Sequence, residues 1–160
     1  MLFRSEPFIG QNWGARQYQR VKRALFLCHS FCLTWGVITF LFMITFGGYL
    51  VSLIDNNPQV IETAETFFLI IPLSIGFMGM MQVANSSFNA RGLPRPALIL
   101  SLLRGIIIGI PLTVIGDALW GYTGIFLAAA ATSVILGIFG WLWNKRSVDE
   151  QAFRLGFTSS

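Results

Sequence analysis

The sequence predicts an all-α membrane protein built on four transmembrane helices. Three observations carry that prediction. Only 11% of the residues are charged, against about 25% in a soluble domain, which leaves too little charge to cover a water-facing surface. Hydrophobic residues make up 54% and the mean hydropathy is +0.67, and the apolar residues arrive in blocks of roughly 20 or more instead of amphipathic patterns. Short strings rich in Gly, Pro, Asn and Asp, which end helices, separate the blocks. The lipid bilayer is therefore the expected surrounding of most of the chain.

Residues 1–24 hold no apolar run long enough for a signal-peptide core. They are expected to form a cytoplasmic loop or the end of a preceding helix, with targeting left to the first span. The spans follow at 25–54, 66–89, 96–116 and 118–143, within a four-helix region covering 25–144. Each reaches the roughly 20 residues that a crossing requires, and the first is long enough to tilt or to project beyond the lipid. The connections are Asp55-Asn56-Asn57-Pro58, then Arg91-Gly92-Leu93-Pro94-Arg95-Pro96, then the stretch from Gly116-Asp117 to Gly121-Tyr122. Residues 145–160 have mixed charge and no apolar span, and read as a solvated cytoplasmic tail.

Charge sets the expected orientation. Arg4, Arg16, Arg20, Lys22 and Arg23 precede the first span, Arg91 and Arg95 lie between the second and third, and Lys145, Arg146 and Arg154 follow the fourth. Asp55, Glu62, Glu65 and Asp117 occupy the opposite loops, which hold no Lys or Arg. Under the positive-inside rule both termini are cytoplasmic, in a multi-pass protein of the cytoplasmic (inner) membrane.

Several function classes drop out. The net charge of +4 does not imply nucleic acid, because Lys and Arg are not gathered on an aromatic-bearing domain. One His, two Cys and seven acids outside the span interiors cannot be assembled into a nucleophile, base and acid set, a metal cluster or a phosphate loop. An enzyme is disfavoured and no cofactor is expected. Cys28 and Cys32 share one helix, where disulfide geometry is seldom reached, and only two of Cys28, His29 and Cys32 share a face. Asn85-Ser86-Ser87 matches the glycosylation sequon inside a span, which is a chance match.

Phe8-Ile9-Gly10-Gln11-Asn12-Trp13-Gly14-Ala15-Arg16, followed by Arg20-Val21, resembles the cytoplasmic loop between the second and third helices of a lobe of the multidrug and toxic compound extrusion (MATE) family. Pro72, the run Val83-Ala84-Asn85-Ser86-Ser87-Phe88-Asn89-Ala90-Arg91-Gly92-Leu93-Pro94, Arg104, Ile110-Pro111-Leu112 and Gly121-Tyr122-Thr123-Gly124-Ile125 resemble successive pieces of the C-terminal lobe of that family. The resemblance implies a partial MATE C-terminal lobe, with these spans as the last four of twelve helices. It also implies a partner in the missing helices 1–8 of a full-length transporter.

Gln82, Asn85, Ser86 and Asn89, continued by Met78, recur at helical spacing along the second span. Such a stripe faces protein or water and not lipid. It either lines a substrate cavity, offering amide dipoles and pliable Met surface, or makes interhelical hydrogen bonds. Arg104, inside the third span, snorkels to the interface or serves as a gate. Pro72 and Pro111 kink their helices, and Gly76, Gly79 and Gly105-x-x-x-Gly109 admit close helix contact. Pro72, Gly76, Arg104 and Pro111 are accordingly the gate or hinge candidates, with packing as the plainer role. Gly124-x-x-x-Ala128 and Ser133-x-x-x-Gly137 give the fourth span a small-residue face.

The family resemblance implies a secondary antiporter that exports cationic or amphipathic drugs and toxic compounds in exchange for Na⁺ or H⁺. No acid lies in the middle of a span, so the coupling site is expected outside this chain. Two other readings stand beside it: a fragment of a lipid-linked oligosaccharide flippase, for which Arg104 speaks, and a non-transporting four-helix structural or assembly protein.

Overall fold

The computed structural model describes residues 5–53 and 57–154, all helical apart from the connections. Arg4, Asp55, Asn56 and the tail beyond Arg154 lie outside the described residues. The elements are α1 (Ser5–Gly14), α2 (Tyr18–Ser52), α3 (Pro58–Ala90), α4 (Pro94–Leu102), a π-helical turn (Leu103–Ile107) and α5 (Gly109–Arg154). Three stretches are long and apolar enough to cross a membrane: Tyr18–Ser52, Pro58–Ala90 and the 61-residue run Pro94–Arg154.

That last run is about three times the length of one crossing, and the chain turns back inside it. Gly121 adopts φ 58°, ψ −139° within α5, in the left-handed half of φ space open to glycine. Beyond it, Gly124 packs directly on Gly116. Residues eight apart in a straight helix are about 12 Å apart, so this contact requires a tight hairpin. The sequence places the break from Gly116-Asp117 onward, but Asp117 to Trp120 continue the helix. The reversal falls at Gly121, where a positive φ costs little because the residue has no Cβ.

Two further boundaries move outward from the sequence reading. α2 begins at Tyr18 and not near residue 25, because Tyr18, Val21 and Leu25 form one buried face through the charged segment. The expected solvated tail is helical to Arg154, with Val148 and Ala152 buried. Polar composition there reflects the outer face of a helix, not a frayed end.

α3 is the centre of the bundle, with α2 on one side and α5 on the other. Its start is fixed by Asn57, whose side chain accepts from the Gln59 N–H at 3.0 Å, and by Pro58 in the first turn. Gly36 of α2 meets Gly76: a Cβ on Gly36 would lie 2.7 Å from the Gly76 backbone. Gly137 of α5 faces the Phe77 carbonyl, 2.5 Å from where its Cβ would be. Glycine on both flanks brings three backbones together, the usual means of helix association in lipid. Large side chains such as Phe26, Leu41, Ile106 and Leu119 point outward, as suits an apolar solvent. α1 lies across the end of α3, with Ile9 fully buried.

Before Pro111, the helix widens. The Ile108 N–H bonds back five residues to Leu103 at 2.9 Å, and a Cβ on Gly109 would collide with the Arg104 carbonyl. Pro111 lacks an N–H and crowds the carbonyl four residues earlier, and the π turn sits where that crowding must be relieved.

Candidate functional site

The C-terminal half of α3 divides its residues between two faces. Val83, Ala84, Ser87 and Phe88 are buried against neighbouring helices. Met78, Gln82 and Asn89 are exposed and Asn85 is half-buried, forming a stripe about 16 Å long. Gln82, Asn85 and Asn89 line an open cavity of about 610 Å³ together with Pro94, Arg95, Ala97, Leu98 and Ser101, a size within the roughly 300–1,000 Å³ of ligand sites.

α4 supplies the other wall because Pro94 opens the helix in its first turn. Arg95, Leu98 and Ser101 then follow at three-residue intervals on one face. The Ser101 hydroxyl donates to the Ala97 carbonyl at 3.0 Å. Asn85 Oδ1 is buried and has no hydrogen-bond partner, which costs about 1–3 kcal/mol. Arg95 is the one ionisable side chain among the described residues lining the cavity, which makes the cavity electropositive.

Arg104 stands at the far end of the stripe. Its Nη2 lies 3.4 Å from Met78 Sδ, and a thioether is a weak acceptor. The contact holds the guanidinium against α3 without neutralising it. The remaining candidates disperse. Ser86 is half-buried and does not line the cavity, being turned about 100° from Asn85 around the helix. Gly76 is buried in the α2 contact, and Pro72 lies buried four residues before it on the same face. Pro111 is exposed beyond the π turn. The structure therefore joins Arg104 to the stripe but leaves Pro72, Gly76 and Pro111 apart from it.

A second polar cluster escapes the sequence reading, in which Arg91 is a loop cation. Arg91 is 7% exposed. Its Nε donates to the Ser87 carbonyl at 3.2 Å, Nη1 to Ser147 Oγ at 3.1 Å and Gln151 Oε1 at 3.0 Å, and Nη2 to Asn144 Oδ1 at 2.6 Å. Ser87 Oγ also donates to Asn144 Oδ1 at 3.0 Å. The guanidinium lies 5.3 Å from the Trp13 ring centre and 5.1 Å from that of Phe88. Burial lowers its pKa to about 10, so it remains charged at neutral pH. The cluster ties α1, α3 and α5 together at the basic end of the bundle. The spacing of Asn144, Ser147 and Gln151 puts three polar groups on the same side of α5 as the buried Val148, but it does not name Arg91 as their partner.

Among the described residues, no group of three His, Cys, Asp or Glu side chains converges as metal ligands. Glu62 and Glu65 on α3 and Asp117 before the Gly121 reversal lie toward the end of the bundle opposite Arg91.

Comparison with known proteins gives concordant results. The family model described as MatE matches residues 5–115. The FAD transporter of Shewanella oneidensis is 33% identical over 132 residues, covering 82% of this chain and 29% of that protein. Protein DETOXIFICATION 52 of Arabidopsis thaliana is 27% identical, covering 84% of this chain and 26% of its own length. The crystal structure of a mutant of the Vibrio cholerae MATE transporter VcmN superposes with a TM-score of 0.87 at 25% identity, over 94% of this chain and 34% of that one. This chain thus spans under a third of the length of the curated relatives it matches.

Proposed function

The chain belongs to the MATE family of membrane transporters, and from that premise we propose that its α3–α4 cavity forms one wall of the substrate passage in a secondary transporter. The observation that carries this reading is the Gln82–Asn85–Asn89 stripe, open to a cavity of about 610 Å³ and holding an unpartnered buried acceptor at Asn85. A polar surface on an apolar helix is costly against lipid and needs protein or water to face it.

In this proposal the passage alternates between two lobes, and the other lobe is supplied by helices outside these 160 residues. Export runs in exchange for Na⁺ or H⁺. The coupling carboxylates lie outside this chain, since the acids of its described residues sit toward helix ends. The basic end, with Lys22, Arg91, Arg95 and Lys145, faces the cytoplasm of the inner membrane by the positive-inside rule.

Two substrate classes follow from different observations. Amphipathic drugs and cations fit the amide and Met surface and the family's name, with Arg95 opposing the cations. Anionic aromatic compounds fit Arg95 and Arg104, neither of which has a carboxylate within ion-pair distance among the described residues, and a relative is named FAD transporter. Membrane vesicles carrying a complete transporter that includes this segment decide between them. Accumulation of ethidium, of FAD, or of both, abolished by collapsing the ion gradients and reduced in Asn85→Leu, is the expected result. Accumulation unaffected by Gln82→Leu, Asn85→Leu and Asn89→Leu together removes the cavity from the passage.

A further inference from the structure

On the other side of the bundle, α2 and α5 diverge at the basic end around a separate cleft of about 340 Å³. Lys22, Leu25, Phe26 and His29 of α2 and Trp141, Asn144, Lys145, Val148 and Asp149 of α5 line it. We propose that this cleft binds the headgroup of an anionic phospholipid.

Position is the first argument. Both helices leave their apolar stretches here: Leu25, Phe26 and Trp141 lie on the membrane side, and Lys22, Lys145 and Asp149 lie beyond them. An exposed Phe26 and an amphipathic Trp141 suit the boundary between acyl chains and headgroups.

Charge is the second. Asp149 is taken by Lys22, at 2.6 Å. Lys145 has no carboxylate within ion-pair distance among the described residues, and its Nζ rests 5.8 Å from the centre of the Trp141 ring. Two lysines against one aspartate leave the cleft with a net positive charge, and basic clefts between membrane helices attract anionic headgroups. The third argument is an open hydrogen-bonding position. His29 donates from Nδ1 to the Leu25 carbonyl, 2.6 Å away, so in the neutral imidazole Nε2 is the acceptor. Nε2 is buried without a partner on a residue that lines the cleft, an open acceptor that a small local opening would present to a headgroup hydroxyl or a water.

The occupant is a lipid and not a soluble anion, because the cleft's exposed wall continues into the apolar outer surface that Phe26 and Leu27 present to the acyl chains. The test is native mass spectrometry of the full chain from mild detergent with equal phosphatidylglycerol and phosphatidylcholine. Retention of phosphatidylglycerol about fivefold above phosphatidylcholine is expected. Lys145→Gln removes that preference and Lys145→Arg keeps it. Asp149→Asn raises it, although it breaks an ion pair, because it frees Lys22; a purely structural role for the pair predicts the reverse. Equal retention of the two lipids, or a fall in Asp149→Asn, overturns the proposal and assigns the cleft to a protein segment or to water.

Discussion

Asn85 and Ser87 stand two residues apart on α3 and have opposite fates. Ser87 is fully buried, and its hydroxyl joins a network in which Asn144, Ser147 and Gln151 all receive donors from Arg91 or Ser87. Asn85 looks the other way, with its carbonyl oxygen buried and unpartnered beside an open cavity. One helix thus carries a saturated polar cluster and an unsaturated one. The difference separates stability from function: a satisfied network contributes to folding, whereas an unsatisfied group lowers stability and persists where something else uses it.

The strongest perturbation falls on the saturated side. Arg91→Met removes donors from Asn144, Ser147 and Gln151 together, and should lower stability by on the order of 3 kcal/mol, read as a lower melting temperature in detergent. Burial disfavours the charged form of Arg91 and lowers its pKa to about 10, still well above neutrality. Between about pH 6 and 9 it stays protonated in both the folded and the unfolded chain, and the cluster's contribution should be flat there. A melting-temperature difference between wild type and Arg91→Met that varies steeply across that range would contradict the assignment.

Asn85→Leu should act in the opposite direction. Stability rises by about 1 kcal/mol as an unpartnered acceptor disappears, while transport kcat/KM falls about tenfold with the loss of one hydrogen bond to substrate. A variant that is both less stable and fully active would sink the contrast. The mildest effects come from the adjacent serines. Ser87→Ala should cost about 1 kcal/mol because it removes a buried donor to Asn144. Ser86→Ala should stay within about 0.5 kcal/mol and leave transport unchanged, since Ser86 neither lines the cavity nor has a partner in the Arg91 network. Thermal melts of the pair, with transport assays on each, narrow the contrast to a single peptide bond.

The stripe was legible because Gln82, Asn85 and Asn89 repeat at the helical period inside an apolar block. Arg95 and Ser101, its opposite wall, were not: Arg95 reads as a loop cation and Ser101 carries no signal of its own until Pro94 is known to start a helix directly across from α3. Ser86 shows the converse case. Spacing alone admits it to the stripe, and its rotation about the helix axis turns it away from the cavity that Asn85 lines. Arg91 is misread because a cation in a connecting loop is ordinarily solvated, and nothing local announces that Asn144, Ser147 and Gln151, more than 50 residues later, will fold over it.

Hydropathy, helix-breaking residues and charge placement act locally along the chain, and they are enough to set the solvent, the helical class and the sorting of basic residues to one end. Which polar groups are saturated and which stand open is settled only when the helices pack. Glycine contacts at Gly36–Gly76, Gly116–Gly124 and Phe77–Gly137 set how closely the helices meet, and that approach determines whether a side chain finds a partner or a cavity. Such pairings join residues distant in sequence, so no local pattern encodes them.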